Sequence, residues 1–337
     1  MADTVSLTRD EAEDLVRAAL AAAGTSPENA DPVARALIGA EVDGQGGHGL
    51  SRVASYTAQA RTGKVNGDAV PTLRRVAPAF ISVDADNGFA YRALDMAISA
   101  LAETAAETGI AAAAITRSHH CGQAGRHVEA LAERGCVGLL FANTPKAMAP
   151  WGGDAPLFGT NPIAFAAPVP DQPPLVIDLS LSKVARGKIM AAGKRGETIP
   201  EGWALDASGA PTTDPKAALA GSMVPMGDAK GAALAMMVEI LAVALTGANP
   251  SLTASSFFEA EGDPPGVGQL LIAVDAARVS GDGFRHAMQA LAGQVAAQEG
   301  TRLPGSRRLA NRKRAEAEGL TVPVAVIDEI RGLTRAS

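Results

Sequence analysis

The feature that most constrains the fold of this chain is a change in the spacing of its apolar residues near residue 72. Before that point, and again after Asp275, apolar residues recur at helical intervals, whereas between these points they form short runs bounded by turn residues. Intervals of three and four residues predict amphipathic helices, and short bounded apolar runs predict strands. We therefore expect a central sheet flanked by two helical ends of the chain.

The central segment contains six apolar runs that we predict as strands. They cover residues 79–83, 111–115, 137–142, 163–167, 175–177 and 270–274. Helices are predicted at 91–108, at 125–134, from Pro215 and at 231–246. The last is predicted to be a buried core helix, because the apolar stretch is interrupted by Glu239 and barely reaches membrane-spanning length.

The two ends of the chain are predicted to be helical and to pack together. Thr8 and Glu11 have the spacing of a capping box, and Pro27 suits the first turn of a second helix. Near the other end, helices are predicted at 284–297, at 307–319 and from residue 324. The expected fold is α+β, with a helical domain of residues 1–70 plus 278–337 and a sheet domain of residues 71–277.

The composition indicates an ordinary globular protein, with 47% apolar and 20% charged residues. A net charge of -6 without a dominant basic cluster argues against a nucleic-acid partner. The first residues, MADTVSLTRDEAEDLV, lack a basic segment followed by an apolar one, so we expect no secretion signal, no membrane attachment and a cytoplasmic location. Cys121 and Cys136 are then expected to be free thiols.

Residues 116–178 concentrate the side chains that most often carry chemistry. Two of the five histidines, His119 and His120, lie side by side in a polar turn directly after the predicted strand 111–115. A Trp-Gly-Gly turn, an Asn-Pro turn and Asp178 follow in the same segment. A strand that ends in a polar, glycine-punctuated loop is a common place for functional side chains, so we expect part of an active site here.

The segment 44–49, GQGGHG, matches the pattern G-x-G-x-x-G of Rossmann dinucleotide sites. That pattern requires a strand before it and a helix that begins at it, but here a helix is predicted upstream. If the segment is helical, His48, Arg52 and Tyr56 lie four residues apart on one face and offer an imidazole, a guanidinium and a phenol to an anionic carbonyl substrate. The alternative for this local pattern is a solvated helix end with an Arg-Tyr stack.

Several long motifs together resemble the type 2 malate/L-lactate dehydrogenase family, which is unrelated to the Rossmann-type lactate dehydrogenases. That family includes sulfolactate dehydrogenase, ureidoglycolate dehydrogenase, diketogulonate reductase and the piperideine-2-carboxylate/pyrroline-2-carboxylate reductases. The resemblance covers nearly the whole chain and rests on DGQGGHGLSRVASY (43–56), SHHCG (118–122), NTPKAMAPWGG (143–153), FGTNPIAFAAP (158–168), DLSLSKVARGK (178–188), VPMGDAKGAALAMMVE (224–239) and LPGSRR (303–308). It implies a non-Rossmann nicotinamide-binding domain on a largely antiparallel or mixed sheet, a helical domain from both termini, and a homodimer or larger assembly.

The resemblance implies hydride transfer between NAD or NADP and C2 of a small 2-hydroxy or 2-keto acid of the sulfolactate, malate or lactate type. His48 matches the family's catalytic acid/base, and histidine suits that role because its pKa lies near neutral pH. Arg52 matches the residue that binds the substrate carboxylate, to which a guanidinium offers a bidentate fork. Tyr56, Thr160 and Asn161 are expected beside the substrate.

The remaining implied roles concern the adjacent histidines His119 and His120 and the cofactor. His120 falls on the histidine of the family's Ser-x-His motif and is the alternative acid/base, while His119 is expected to orient or contact the cofactor. The resemblance also places around NAD or NADP the residues Thr144, Asp178, Leu179, Ser180, Lys188, Lys230, Pro304, Gly305 and Arg307. Arg308 could join Arg307 at a 2′-phosphate, which favours NADP. A helix cap remains the alternative for Asp178, and a solvated surface position for each lysine.

One position departs from the family pattern. The family has serine before the catalytic histidine, where this chain has Gly47, so the hydroxyl that would fix the imidazole of His48 is missing and the claim of His120 is strengthened. A cyclic imino-acid reductase of the same family is the alternative enzyme. A metal-dependent hydrolase is a further alternative, but this chain has no H-E-x-x-H motif, so no metal site is predicted. A non-catalytic protein on the same fold is the remaining alternative.

Overall fold

The centre of the fold is a seven-stranded sheet, seen in a computed structural model that describes residues 3–334. The strands, numbered along the chain, are β1 (Thr4–Leu7), β2 (Thr72–Ala77), β3 (Phe80–Asp84), β4 (Ile110–Ser118), β5 (Cys136–Ala142), β6 (Ile163–Val169), β7 (Gln172–Leu179), β8 (Ala204–Leu205), β9 (Pro211–Thr212), β10 (Ser222–Met223), β11 (Val267–Asp275) and β12 (Leu320–Pro323). The helices are α1 (Arg9–Ala21), α2 (Pro27–Val42), α3 (Val53–Arg61), α4 (Ala90–Thr108), α5 (Ala124–Ala132), α6 (Arg186–Arg195), α7 (Pro215–Ala220), α8 (Ala229–Glu239), α9 (Ala276–Ser280), α10 (Asp282–Ala296), α11 (Ser306–Glu318) and α12 (Val324–Thr334).

The strand order in this sheet is β2-β3-β4-β11-β5-β6-β7. β3 and β4 run parallel, and the other neighbouring strands run antiparallel. The predicted α+β fold with a largely antiparallel or mixed sheet is therefore confirmed. The six predicted strands correspond to β3 through β7 and β11. β2 was missed because all six residues of TLRRVA are exposed at the edge of the sheet, so no apolar run marks it.

Helices pack on both faces of the sheet. On one face α4 and α5 enclose a core in which Leu94, Leu131 and Leu140 are fully buried. On the other face, α8 and a small sheet of order β10-β8-β9 pack over residues that include Met148 and Leu270. Burial on two sides makes the central strands a rigid support for the loops that follow them.

The helical ends of the chain pack together, as predicted. β1 pairs antiparallel with β12, and α1, α2 and α12 share a core that contains Val16, Leu37 and Ile327. The capping box at the start of α1 is present, with Thr8 and Glu11 bonded to each other's backbone. The division into domains at residues 70/71 and 277/278 stays a prediction.

The apolar segment 231–246 forms α8 followed by a π-helical turn at Ile240–Ala244. The prediction that it is a buried core helix is wrong for one of its sides, because Met236, Ile240 and Leu245 are more than half exposed. A helix that is apolar all round carries no polar face to indicate which side will be left uncovered. Within residues 3–334, none of the helices combines the length and the apolar character that crossing a bilayer requires.

Candidate active site

The glycine-rich segment 44–49 forms a tight connection between α2 and α3. Two 3-10 turns, Gly46–His48 and Leu50–Arg52, follow the end of α2. Glu41 organises them, because its Oε2 accepts the N–H of Leu50 at 3.0 Å. A Cβ atom at Gly49 would lie 2.1 Å from that oxygen, so a larger residue here would displace the Glu41 carboxylate. A helix rather than a strand precedes the segment and the Glu41 carboxylate lies against it, so it lacks the strand–turn–helix geometry of a Rossmann phosphate loop.

Three imidazole rings meet where this segment approaches the end of β4. The ring of His48 stacks on the ring of His120, with centroids 5.1 Å apart and 18° between the planes. His119 Nε2 lies 3.0 Å from Oε1 of Gln59 on α3. The structure therefore brings the segment 44–52 and the adjacent histidines into one site, although at least 66 positions separate them in the chain.

Arg52 presents an unused hydrogen-bond donor in this site. Its Nε donates to the carbonyl of Gly47 at 2.7 Å, and its guanidinium lies 4.5 Å from the centre of the Phe258 ring. Nη1 of Arg52 and Nδ1 of His48 are buried and have no hydrogen-bond partner among residues 3–334. A charged donor and a ring nitrogen left free side by side are what an anionic substrate with a reacting oxygen would require.

Burial and Arg52 make all three imidazoles weak bases. Burial, followed by the positive charge of Arg52, lowers the pKa of His48 to about 4. The same two causes lower the pKa of His119 to about 3 and that of His120 well below its usual value. The three rings are therefore neutral at pH 7 in the free protein.

A loop that sequence reasoning missed closes one side of the site. Phe257 lies 5.1 Å from the His119 ring and 5.2 Å from the His120 ring. The buried ammonium of Lys64 holds this loop by donating to the carbonyls of Ser256, Glu259 and Glu261. Two adjacent phenylalanines, at 257 and 258, in an otherwise polar segment are the signal that would have identified the loop.

Tyr56 lies behind the histidines rather than beside the open site. It is fully buried, and its hydroxyl lies 2.7 Å from Nδ1 of His120 and 3.1 Å from the hydroxyl of Tyr91. Both of these contacts are within the protein, and the predicted contact of Tyr56 with the substrate stays a prediction. Neither this contact nor the involvement of Tyr91 had been predicted.

Thr144, Thr160 and Asn161 form a separate group at the start of β6. The backbone N–H of Thr160 donates to Oγ1 of Thr144 at 2.9 Å. Asn161 is fully buried, and its amide donates to the carbonyl of Ala235 and to Oε2 of Glu239, both near 3 Å. These bonds fix β6 against α8, and the roles of the three residues at substrate or cofactor stay predictions.

Asp178 lies near the end of β7 and caps a helix of another segment. Its Oδ2 accepts the N–H of Gly125 at 2.8 Å, in the first turn of α5. That helix begins four residues after His120, so the carboxylate also steadies the turn that carries the histidines. Burial raises the pKa of Asp178. The helix-cap alternative is thus present, although the capped helix is not its own.

The other predicted cofactor residues border β7 and the starts of α6 and α8. Leu179 is exposed, the Ser180 hydroxyl lies 2.7 Å from that of Ser182, and Gly305 lies next to Val176 of β7. The loop 304–307, with Pro304 and Arg307 exposed, therefore runs beside β7.

Lys188 and Lys230 are surface residues on two helices whose preceding stretches lie side by side. Both are exposed and stand in the first turns of α6 and α8. The stretches before these helices are hydrogen-bonded to each other, through Lys183 N–H to the Val224 carbonyl and Met226 N–H to the Leu181 carbonyl. Both side chains are solvent-exposed cations, and their predicted contacts with a dinucleotide's phosphates stay predictions.

Arg308 is not available to a 2′-phosphate, which corrects that expectation. Its side chain is 7% exposed, and its Nη2 donates to Oε1 of Glu129 at 2.9 Å. Asp43 and Arg312 complete a buried ionic cluster around it. Arg307, one position earlier, is exposed and remains the candidate.

The two cysteines are free, as predicted, and both are buried. Burial raises the pKa of the Cys121 thiol to about 12, so this neighbour of His120 is an inert apolar group rather than a nucleophile. In the part of the chain that the structure describes, no group of three or more histidine, cysteine or acidic side chains is arranged to hold a metal ion.

Comparison with known proteins agrees with this architecture. The sequence pattern of the malate/L-lactate dehydrogenase family matches residues 7–331. A (2R)-3-sulfolactate dehydrogenase (NADP(+)) of Chromohalobacter salexigens is 56% identical over 95% of this chain and 96% of its own. A Delta(1)-pyrroline-2-carboxylate reductase of Ancylobacter novellus is 41% identical over 99% of this chain and 98% of its own.

Solved structures show the same fold. The delta1-piperideine-2-carboxylate reductase of Pseudomonas syringae superposes with a TM-score of 0.92 at 39% identity, covering 98% of this chain and 99% of the other. The sulfolactate dehydrogenase of Methanocaldococcus jannaschii gives 0.89 at 27% identity, covering 98% and 97%. The resemblance inferred from the motifs is confirmed: the chain is an oxidoreductase that belongs to the malate/L-lactate dehydrogenase family.

Proposed function

We propose that this protein transfers a hydride between NADP and C2 of a small anionic 2-hydroxy acid, with 3-sulfolactate as the leading substrate. The observation that carries the proposal is that two buried polar atoms of the segment 44–52, Nδ1 of His48 and Nη1 of Arg52, have no hydrogen-bond partner within residues 3–334. The choice of acid and of NADP is supported by the 56% identity to the sulfolactate dehydrogenase.

In this proposal Arg52 binds the substrate and His48 transfers the proton. Arg52 binds the C1 carboxylate and orients C2, because its guanidinium is fixed between the Gly47 carbonyl and the Phe258 ring. His48 gives a proton to the C2 oxygen as the carbonyl becomes an alcohol, and removes it in the reverse direction. The nicotinamide, when bound, supplies or accepts the hydride. An anionic substrate raises the proton affinity of His48, opposing the effect of Arg52.

The cofactor is proposed to lie along the end of β7 and the starts of two helices. Exposed Arg307 would meet the 2′-phosphate, while Lys188 and Lys230 would bind the pyrophosphate. The segment 44–49 is excluded from phosphate binding in this proposal, because the Glu41 carboxylate already lies against it. A cytoplasmic location stays a prediction.

A homodimer is part of the proposal. Met236 and Ile240, one helical turn apart on α8 and its π-helical extension, are 52% and 54% exposed, and Leu245 is 56% exposed. A row of exposed apolar side chains on one helix is typical of a surface that a second subunit covers.

A cyclic imino-acid reductase is the second candidate, because several relatives with such names are 38–41% identical to this chain. The test is a comparison of kcat/KM, with NADPH and with NADH, for sulfopyruvate, oxaloacetate, pyruvate, Δ1-pyrroline-2-carboxylate and Δ1-piperideine-2-carboxylate. We expect the highest value for sulfopyruvate with NADPH. A higher value for either imino acid would replace the first candidate by the second.

Substitution of His48 tests the assigned acid/base. We expect His48→Ala to lower kcat by about 10²- to 10⁴-fold, the usual cost of losing a general acid, while NADPH binding measured by fluorescence stays within about twofold. If His48→Ala keeps most of its activity and His120→Ala does not, the two histidines exchange roles.

A further inference from the structure

A short chain of buried hydroxyl groups ends on the ring of His120. The hydroxyl of Tyr91 lies 3.1 Å from that of Tyr56, which in turn lies 2.7 Å from Nδ1 of His120. Both tyrosines are at most 2% exposed. Buried hydroxyl hydrogens are costly when they have no acceptor, so the direction of each bond can be worked out.

The hydroxyl of Tyr91, at the end of this row of hydrogen bonds, determines that direction. Among residues 3–334, the Tyr91 hydroxyl has a single hydrogen-bond partner, the hydroxyl of Tyr56. Tyr91 must therefore donate to Tyr56, which leaves Tyr56 to donate its own hydrogen to Nδ1 of His120. The reverse order would leave the Tyr91 hydrogen without an acceptor. Burial raises the pKa of Tyr56 to about 12, so its hydroxyl keeps the hydrogen that it donates.

The turn that carries the histidines also encloses Tyr91. Gly122 adopts a φ of +67°, and a Cβ atom there would lie 2.6 Å from the Tyr91 hydroxyl. A side chain at this position would push the hydroxyl out of reach of Tyr56. The hydrogen bond between the two tyrosines therefore depends on glycine at position 122.

We infer that Tyr56 and Tyr91 are positioning residues that hold His120 as the neutral tautomer protonated on Nε2, so that His120 serves as a fixed hydrogen-bond donor to the substrate while His48 exchanges the proton. This inference rests on the proposed function. It gives the two stacked rings different tasks: Nδ1 of His120 is occupied by Tyr56, whereas Nδ1 of His48 has no partner within residues 3–334. An Nε2–H on a neutral ring can donate to a substrate oxygen without giving up its proton.

The tautomer can be measured without any assumption about the substrate. In protein labelled with ¹⁵N-histidine, long-range ¹H–¹⁵N spectra distinguish a protonated ring nitrogen from an acceptor, and His120→Gln identifies the signals of His120. We expect an acceptor Nδ1 and a protonated Nε2 near pH 7, and a shift towards mixed tautomers in Tyr56→Phe. A wild-type His120 protonated on Nδ1 overturns the inference, even if the protein proves to be the expected oxidoreductase.

Kinetics test what the tautomer does. We expect Tyr56→Phe to lower kcat/KM about ten- to a hundredfold, and Tyr91→Phe to lower it less than tenfold, because Tyr91 acts through Tyr56. For the same reason, the double variant should be no less active than Tyr56→Phe alone. If the losses in kcat/KM of the two single variants multiply in the double variant, the two tyrosines act independently, and the inference that Tyr91 acts through Tyr56 is overturned.

Two further variants complete the experiment. Thr57→Val removes a neighbouring buried hydroxyl that donates, among residues 3–334, to backbone carbonyls of α3, and it should leave kcat/KM within about twofold. His120→Gln retains an N–H donor close to the place of Nε2 but cannot act as an acid, so it should keep far more activity than His48→Ala. A loss in His120→Gln as large as that in His48→Ala would show that His120 does more than donate a fixed hydrogen bond, and would overturn the inference. Melting temperature and NADPH binding, recorded for each variant, separate misfolding from these effects.

Discussion

In the proposed mechanism His48 and Arg52 form the reacting end of the site, and their proximity makes protonation of His48 less favourable. Each group is held in a partly buried position beside the other, so burial and mutual repulsion lower the pKa of His48 to about 4. Such a ring is a weak base in the free protein but a strong acid once it is protonated. The sequence motif alone predicts both residues, whereas the size of the pKa shift depends on how much protein surrounds them.

The pH dependence of kcat/KM follows from that pKa. Oxidation of the hydroxy acid needs neutral His48, so kcat/KM should be nearly constant above about pH 5 and fall as the pH drops through about 4. Reduction needs protonated His48, which becomes rarer as the pH rises, so kcat/KM should fall about tenfold per pH unit above that pKa. Measurements of kcat/KM in both directions between about pH 3 and 8 check this; a reduction kcat/KM that is independent of pH would contradict it.

Arg52 offers a second test at the same scale. Arg52→Lys keeps the charge but loses the planar fork, so we expect KM for the acid to rise more than about tenfold. Arg331→Lys, on the exposed side of α12, is the matched control and should leave KM unchanged. An unaltered KM in Arg52→Lys, for every acid accepted, would place this guanidinium outside the substrate site.

At the scale of elements, a buried ionic cluster joins three segments that carry the site. Arg312 of α11 contacts both Asp43, at the end of α2, and Glu129 of α5, with distances of 2.6 to 2.9 Å. These carboxylates are almost fully buried, at 1% and 6% exposure. The cluster therefore holds the start of the glycine-rich segment, the helix after the histidines and the helix after the loop 304–307 in one arrangement.

Removing one member of this cluster should be costly. Arg312→Met leaves buried carboxylates short of a partner, and we expect it to reduce the free energy of unfolding by about 3 kcal/mol, measured in urea. Arg314→Met is the control, because that arginine is exposed on the same helix and bonds to Asn311. A loss of less than about 1 kcal/mol in Arg312→Met would mean that the cluster contributes little to the packing of α11.

Some strands and helices could be predicted from the sequence and others could not. Runs such as 137–142 and 270–274 are apolar because they lie in the middle of a sheet covered on both faces, and both were predicted. α6 was not predicted, since RGKIMAAGKR contains two glycines and four basic residues and buries only Ile189 and Ala192. Its helical state follows from packing against α7 rather than from its own periodicity.

For the whole molecule, the exposed apolar side of α8 is the observation on which the proposed homodimer rests. We expect Met236→Glu combined with Ile240→Glu to shift the protein towards monomer in sedimentation or light-scattering measurements, because two charges would then enter an apolar contact. Val70→Glu, at a similarly exposed apolar residue, should leave the oligomeric state unchanged. A protein that is monomeric before any substitution would contradict the proposed homodimer.

The sequence by itself determined the features that depend on residues near one another in the chain. Apolar spacing identified the sheet between two helical ends, the Thr8 capping box identified the start of α1, and the motif around His48 and Arg52 indicated the chemistry. These signals are local because helix periodicity, capping and a shared turn all act over a few residues.

Only the tertiary structure decided which partner each functional group meets. Tyr56 reaches His120 across 64 positions, Asp178 caps α5 across 53, and Arg308 is buried against Glu129 across 179. Nothing in the local sequence distinguishes buried Arg308 from exposed Arg307, or indicates that the Tyr56 hydroxyl lies beside a histidine. These outcomes depend on how the helices and the sheet pack, because burial and hydrogen-bond geometry are properties of the assembled core.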